Sequence, residues 1–195
     1  MNLFKDIGSK VSRLVITHIA MSIFGLALGF SIVGTTAPSL QLVISICSLI
    51  FYAIIVYTTM WEFGAKDKPA FDADRKGNAF LIGIMSSLVA ESVFIVIAIV
   101  YAVSAFFGET STLAANACFI SNITLWLSGG FFTGAMSFIE SIMRAAELDG
   151  SAVNHLIRAL TYIVGSLFVT FFSGVGYLLG TKDISIIPKN KKTKK

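Results

Sequence analysis

The chain has 195 residues, of which 55% are hydrophobic and only 13% are charged, whereas about a quarter of the residues of an average soluble domain are charged. Its mean hydropathy is +0.82, and the charges are grouped into short runs between long apolar segments. This pattern excludes an ordinary soluble globular domain and is typical of a multi-spanning membrane protein. Cys47 and Cys118 lie in apolar segments and match no CxxC or Cys/His spacing, so neither a disulfide framework nor a zinc site is expected.

The first apolar segment predicts a spanning helix over about residues 11–34. Basic residues precede it, as in a signal peptide, but its apolar run from Leu14 to Val33 is about twenty residues long, against the 7–15 of a signal sequence. We therefore interpret it as an uncleaved signal anchor. A second helix is predicted over about residues 39–61, with Pro38 in its first turn. A charged loop is expected to follow, from Glu62 to Asn78.

The third helix is predicted over Ala79 to Phe107. These 29 residues would form a helix about 44 Å long, more than the roughly 30 Å hydrocarbon core of a bilayer. Glu91 near its middle is its one acidic or basic side chain among Asp, Glu, His, Lys and Arg. Because a carboxylate at the bilayer centre costs roughly 2.5–3.5 kcal/mol on insertion scales, Glu91 needs a partner, a water-filled cavity or a proton.

The number of spans depends on the segment Asn116 to Ile139. It is long enough to span, but Asn116, Asn122 and the pair Gly129-Gly130 lower its apolarity and helix propensity. A last helix is predicted to begin near Ser151 and to span over about residues 157–180. It is followed by a basic tail, residues 181–195, whose composition predicts disorder. Between these helices, residues 140–158 suit an amphipathic helix at the interface.

Basic residues decide between four and five spans because short cytoplasmic loops are enriched in Lys and Arg. With four spans, thirteen of the fifteen basic residues are cytoplasmic; with five, the split becomes nine against six. We therefore predict an all-α integral membrane protein with four spans, both termini cytoplasmic, and residues 116–139 as a re-entrant or interfacial segment. Five spans are the alternative.

Small residues recur at helical spacing along one face of several helices, and such faces allow close helix packing in lipid. The predicted helix-packing residues are Gly25, Gly29, Gly83, Gly176 and Gly180. His18 shares the face of the first helix, about five residues nearer the cytoplasm than Glu91, so its contact with Glu91 is left open. Cys47, Ser48 and Tyr52 on helix two and Ser166 or Thr170 on the last helix are expected near Glu91.

Glu91, with His18 and Tyr52, is the candidate intramembrane ion or proton site. Two interpretations stay open. Glu91 either binds a proton or cation as part of the function, or it is a neutral acid that donates a hydrogen bond between helices.

The stretch from Trp61 to Asp67 is a candidate cytoplasmic docking loop, with Trp61, Glu62, Gly64, Lys66 and Asp67 as its candidate residues. Its pattern Trp-x-x-Gly-x-Lys-Asp, together with the GYLLG end at Gly176 to Gly180 and the lysine-rich tail, resembles a group of uncharacterised small bacterial polytopic membrane proteins. The resemblance implies the fold and a bacterial plasma-membrane location, and it implies no activity.

Two functions are carried forward. The first is a non-enzymatic membrane subunit or scaffold that binds partner helices or a second copy of itself. The second is a small ion- or proton-coupled transporter or channel that uses Glu91. No catalytic, cofactor-binding or metal-binding pattern is present in the sequence, so no enzyme and no cofactor are expected. The expected partners are the lipid bilayer and, at the basic tail, anionic lipid; nucleic acid is not expected.

Overall fold

The computed structural model describes residues 3–32, 38–73, 77–108, 110–148 and 152–184, and the regular structure within them is helical. The six α-helices are α1 (Leu3–Ile32), α2 (Pro38–Asp72), α3 (Ala79–Phe107), α4 (Thr112–Ser128), α5 (Thr133–Ala145) and α6 (Ala152–Thr181), with one 3₁₀ turn, Gly130–Phe132, between α4 and α5. Among the described residues, α1, α2, α3 and α6 are long and apolar enough to cross a membrane. The predicted all-α membrane protein with four spans is confirmed.

The helix α6 lies at the centre of the bundle, between α2 and α3. Half of its most apolar 18-residue window is buried inside the protein, against 28% for each of the other three spans. The exposed large side chains of the spans are mostly Ile, Val, Leu and Phe, as expected where a helix faces lipid. We call the end of the bundle where α1 begins and α6 ends the terminal end. The end where α3 ends and α6 begins is the distal end.

The chain from α4 to α5 enters the bundle from the distal end and returns to it. We call the non-α-helical residues between α4 and α5, 129–132, the break. At the break, Gly130 packs against the backbone of Ser22, in the middle of α1. Further out, Arg158 of α6 contacts both Asn122 of α4, at 3.3 Å, and Glu140 of α5, at 3.1 Å. The two arms therefore lie side by side, an arrangement that the predicted re-entrant or interfacial segment requires.

Glycines make this break possible because they allow two backbones to approach closely. A Cβ on Gly130 would lie 2.1 Å from the carbonyl oxygen of Ser22, and one on Gly134 would lie 1.9 Å from the carbonyl oxygen of Gln41. Carbonyl groups near the break accept hydrogen bonds from protein side chains, including one from Ser45 to Phe131 at 2.6 Å. Irregular backbone at membrane depth is tolerated where it is covered in this way.

Several helix boundaries differ from those predicted. The helix α1 begins at Leu3 rather than near residue 11, and α2 continues to Asp72 rather than ending at Trp61. The expected charged loop is therefore helical over residues 62–72. The expected amphipathic helix over residues 140–158 is divided, since α5 ends at Ala145 and residues 152–158 belong to α6. Most of the tail, residues 185–195, lies outside the described residues.

Candidate functional site

The buried carboxyl group of Glu91, near the middle of α3, contacts side chains of three other helices. Its Oε1 accepts a hydrogen bond from the hydroxyl of Tyr52 in α2, at 2.8 Å, and lies 3.0 Å from Nδ1 of His18 in α1. Its Oε2 accepts a hydrogen bond from Ser166 in α6, at 3.2 Å. All three residues of the candidate ion or proton site are almost completely buried, with 3% of His18, 1% of Tyr52 and 2% of Glu91 exposed. The structure places them in direct contact.

Tyr177 of α6 serves as a common reference point for comparing the levels of His18 in α1 and Glu91 in α3. Nζ of Lys10 lies 5.6 Å from the centre of the Tyr177 ring, and a Cβ on Gly83 would lie 2.9 Å from the Tyr177 Cβ. His18 is eight residues beyond Lys10, and Glu91 is eight residues beyond Gly83. At about 1.5 Å per residue, both reach the same level, about 12 Å further along.

The hydrogen bonds of the His18 ring define one of its protonation sites. Nε2 lies 3.0 Å from the backbone carbonyl oxygen of Ser128, at the end of α4. A carbonyl oxygen can only accept a hydrogen bond, so Nε2 carries a proton and donates it. Ser22, one turn after His18, also donates to this carbonyl. The imidazole thus fixes the point where the re-entrant segment breaks.

The other ring nitrogen, Nδ1, lies 3.0 Å from Oε1 of Glu91 and 3.0 Å from the hydroxyl of Tyr52. With the Tyr52 hydroxyl donating to Oε1, a proton between Nδ1 and Oε1 can occupy two positions. In one arrangement, neutral Glu91 donates from Oε1 to an unprotonated Nδ1. In the other, a protonated imidazole donates from Nδ1 to a carboxylate. Both arrangements have zero net charge and differ only in the position of one proton along the 3.0 Å line between Nδ1 and Oε1. Removing that proton would leave a net negative charge in an apolar interior, which is costly.

Aromatic rings surround the pair and restrict its movement. The ring of Phe94 stacks on the imidazole of His18, with centroids 3.8 Å apart and planes 12° apart, and Phe131 meets it edge-on at 5.5 Å. A cavity of about 270 Å³ between α1, α3 and α4 reaches His18 and Ser128. Its wall also contains the lipid-exposed side chains Ile19 and Ile23, so the cavity borders the lipid-facing surface.

The other residues expected around Glu91 divide into contacts and non-contacts. Ser166 binds Glu91 directly, as described above. Thr170 instead lies 3.3 Å from the hydroxyl of Ser87, one helical turn away. Ser48 is buried, whereas Cys47 is exposed on the outer face of α2. The inward face of α2 therefore passes through Tyr52 and Ser48 and not through Cys47.

The expected docking loop is a helical segment of α2 that packs on α6. Trp61 donates from its indole nitrogen to the carbonyl oxygen of Ile184 at 2.7 Å, and Gly64 packs against the backbone of Tyr177. Asp67 accepts a hydrogen bond from the hydroxyl of Tyr177. The expectation of a loop is wrong because α2 continues to Asp72, and these three residues contact α6 or the residues that follow it. Glu62 and Lys66 are exposed, and their docking role is a prediction.

The five glycines expected at packing faces all lie at contacts between segments. Gly176 and Gly180 of α6 pack against the backbone of α2, where an added Cβ would lie 2.4 Å from the Tyr57 oxygen and 2.2 Å from the Trp61 oxygen. The remaining three contact α6 or the re-entrant segment: Gly83 lies against Gly174, Gly25 against Phe131 and Gly29 against Thr133. Gly25 and Gly29 thus form a surface for the re-entrant segment of the same chain.

Sequence reasoning missed a second buried charge, Lys10, which is only 1% exposed. Its Nζ lies 3.1 Å from Oδ2 of Asp67 and 5.7 Å from the centre of the Phe63 ring. The sequence contained a signal, because Lys10 precedes Leu14 and His18 at spacings of four, on the inward face of α1. Because Lys10 was interpreted only as a marker of membrane topology, its burial was not predicted.

No group of three His, Cys, Asp or Glu side chains able to hold a metal ion occurs in the described ranges. No family model, curated protein or solved structure matches the chain.

Proposed function

We propose that this protein moves protons across the membrane, as a small channel or a proton-coupled transporter, with the His18–Glu91 pair as its proton-binding group. The observation that carries the proposal is the 3.0 Å contact between Nδ1 of His18 and Oε1 of Glu91, in a buried pair whose other nitrogen, Nε2, donates to the carbonyl of Ser128 at the re-entrant break. A structural hydrogen bond between two helices would not require this link to an irregular segment.

The link couples proton binding to conformation. A charged imidazole donates a stronger hydrogen bond than a neutral one. The strength of the hydrogen bond from His18 to the Ser128 carbonyl therefore depends on whether the proton lies on Nδ1 or on Glu91. Loss of the proton leaves a net charge that the apolar surroundings disfavour. The position and presence of one proton therefore bias the geometry of the break, which is the property that proton-driven transport needs.

The test measures proton flux into vesicles. The full chain is reconstituted into liposomes that contain a pH-sensitive dye, and a potassium gradient with valinomycin drives proton entry. Wild-type protein should acidify the lumen faster than empty liposomes, and Glu91→Gln should abolish the difference. Glu62→Gln makes the same chemical change at an exposed position of α2 and should retain wild-type flux.

Two results would overturn the proposal. One is a wild-type flux equal to that of empty liposomes. The other is a Glu91→Gln flux equal to that of wild type, with both proteins shown to be folded by circular dichroism.

The second candidate function is a membrane subunit that binds a partner helix, and one surface feature favours it. A groove of about 430 Å³ between α2, α5 and α6 is lined almost entirely by apolar side chains, among them Leu49, Ala135 and Leu160. A bilayer-embedded helix is the occupant that such a lipid-facing groove would accept. A cysteine introduced at Leu160 should then crosslink to a partner or a second copy in native membranes, whereas one at exposed Ile99 on α3 should not.

We further propose that the terminal end faces the cytoplasm of a bacterial cell. Support comes from the basic residues of the described ranges. Six lie near the terminal end (Lys5, Lys10, Arg13, Lys66, Lys68 and Lys182), against Arg144 and Arg158 near the distal end. Basic residues resist export, and this bias sets the orientation of membrane helices.

A further inference from the structure

The hydroxyl of Tyr52 lies within hydrogen-bond distance of both members of the His18–Glu91 pair. It is 2.8 Å from Oε1 of Glu91 and 3.0 Å from Nδ1 of His18, and these two atoms are 3.0 Å from each other. The three atoms form a nearly equilateral triangle that contains two protons, one from the phenol and one from the pair. The group to which the phenol donates therefore limits where the proton of the pair can lie.

If the proton of the pair lies on Nδ1, every donor around the carboxyl group has its own acceptor. Nδ1 and the Tyr52 hydroxyl then both donate to Oε1, while Ser166 donates to Oε2 at 3.2 Å. A carboxylate only accepts, and its two oxygens offer about four lone-pair sites, so it suits these three donors. Nε2 has its own acceptor as well, the carbonyl of Ser128 at 3.0 Å.

If the proton lies on Oε1, the same groups are matched less well. Oε1 is then a hydroxyl oxygen, and a neutral acceptor forms a hydrogen bond roughly half as strong as an ionised one. If Tyr52 donates to Nδ1 instead, it competes with Glu91 for the single lone pair of that nitrogen. The Tyr52 hydroxyl therefore stabilises the pair more when Glu91 is a carboxylate.

The surroundings of the imidazole also favour a charged ring. Phe94 stacks on it with centroids 3.8 Å apart and planes 12° apart, and the face of an aromatic ring attracts a cation. A buried ion pair compensates for its lost hydration only where its geometry is close and further hydrogen bonds satisfy the remaining polar atoms. The hydroxyls on both carboxyl oxygens and the Ser128 carbonyl on Nε2 meet this condition.

We propose that the proton-loaded pair is an imidazolium–carboxylate ion pair, and that Tyr52 is the positioning residue that keeps the proton on Nδ1 of His18. The assignment follows from the contacts of the pair, whereas its consequence for transport rests on the proposed function. The charged ring gives the Ser128 carbonyl its stronger hydrogen bond while the proton is bound. Loss of the Tyr52 hydroxyl moves the proton towards Glu91 and weakens that bond.

The test locates the proton by NMR. The chain has two histidines, so ¹⁵N-histidine labelling gives a simple spectrum in lipid nanodiscs, and a His155→Asn spectrum assigns the two rings. In wild type, both ring nitrogens of His18 should carry a directly bonded proton. In Tyr52→Phe, the Nδ1 signal should move towards that of an unprotonated nitrogen, and the ratio of the charged to the neutral arrangement should fall roughly tenfold, because the additional strength of a hydrogen bond to a carboxylate is lost.

Infrared spectroscopy follows the same proton from the side of Glu91. The C=O band of a protonated carboxyl group should become stronger in Tyr52→Phe than in wild type. The additional intensity should be absent from the double variant Tyr52→Phe, Glu91→Gln, which assigns the band to Glu91. Intensity that remains in the double variant would contradict the transfer to Glu91.

Tyr57→Phe is the matched control, because it makes the same change in another buried tyrosine of α2. Within the part of the chain that the structure describes, the Tyr57 hydroxyl has no hydrogen-bond partner. Both spectra of Tyr57→Phe should therefore equal those of wild type. An equal effect in Tyr57→Phe and Tyr52→Phe would assign the displacement to packing and overturn the role of Tyr52.

The wild-type spectrum alone can also overturn the proposal, whatever the folding of the variants. An unprotonated Nδ1 in wild type would show that the pair is neutral, and an unchanged Nδ1 signal in Tyr52→Phe would remove the positioning role. A neutral pair in a protein that still conducts protons would refute this inference and leave the proposed function standing. A charged pair in a protein without proton flux would refute the proposed function and leave the ion pair standing.

Discussion

The contact between α1 and the re-entrant break makes the candidate site sensitive to one methyl group placed away from it. In Gly25→Ala, the new Cβ would lie 2.2 Å from the backbone nitrogen of Phe131, whereas ordinary contacts begin at 3.4 Å. The neighbouring atoms are all backbone, so no side chain can rotate away. The break must withdraw by about 1.2 Å for the contact to reach its normal distance.

This withdrawal should release His18 from its acceptor. Transmitted to Ser128, a shift of that size lengthens the distance of 3.0 Å between Nε2 of His18 and the carbonyl oxygen to about 4 Å, outside hydrogen-bond range. Overpacking costs about 1–3 kcal/mol, and a buried N–H without an acceptor costs about 1–3 kcal/mol more. We therefore expect Gly25→Ala to lower the free energy of unfolding by roughly 2–6 kcal/mol.

Two other glycines of α1 provide graded controls. A Cβ at Gly29 would lie 3.2 Å from a methyl group of Thr133, and one at Gly8 would meet nothing within 4 Å. Stability in nanodiscs, measured by thermal unfolding, should be lowered slightly by Gly29→Ala and kept or raised by Gly8→Ala, since Ala is the better helix former. The ¹⁵N signal of Nε2 should shift only in Gly25→Ala. If Gly25→Ala matches Gly8→Ala in stability and in the His18 signal, the proposed anchoring of the break is refuted.

Two further predictions concern the terminal and distal ends. Asp67→Asn removes the carboxylate that balances the buried charge of Lys10 and should lower the free energy of unfolding by up to about 3–5 kcal/mol, measured by thermal unfolding. The double variant Lys10→Met, Asp67→Leu should recover most of this stability. A double variant no more stable than Asp67→Asn would contradict the prediction. Cys118 lines a partly polar cavity of about 480 Å³ with Asn122 and His155, whereas Cys47 is exposed on the outer face of α2. In the single-cysteine variants Cys47→Ser and Cys118→Ser, intact mass spectrometry should show Cys118 modified by a water-soluble maleimide and Cys47 only by a lipid-soluble one, and the reverse pattern would contradict the placement of the cavity.

The spans and the buried acid were predictable because their signals are local. Ala79 and Phe107 are both the predicted and the observed ends of α3. An apolar segment long enough to cross the bilayer can satisfy its backbone hydrogen bonds within itself only as a helix. A re-entrant or interfacial segment was predicted from Asn116, Asn122 and the pair Gly129-Gly130, and from the distribution of Lys and Arg. Both signals are visible in the sequence without knowing which residues contact each other in the fold.

The contact between His18 and Glu91 was not predictable by counting residues from helix ends. The estimated difference of five residues assumed that the first helix begins near residue 11, whereas α1 begins at Leu3. The extension of α2 beyond Trp61 was not predicted either. A run of charged residues is typical of a solvent-exposed loop unless the residues that pair with those charges are known. Asp67 is helical and largely buried beside Lys10 and Tyr177.

By itself, the sequence determined that the chain is an all-α membrane protein, how many helices cross, and that a carboxyl group lies near the middle of the third. Hydropathy and the cost of burying charge act on each segment separately, so no tertiary information was needed. Tyr52 and Ser166 were expected near this carboxyl group, but only the tertiary structure decided that it also contacts His18. His18 is held in turn by the backbone carbonyl of Ser128. Every residue has a backbone carbonyl, so no pattern of side chains could have predicted this contact.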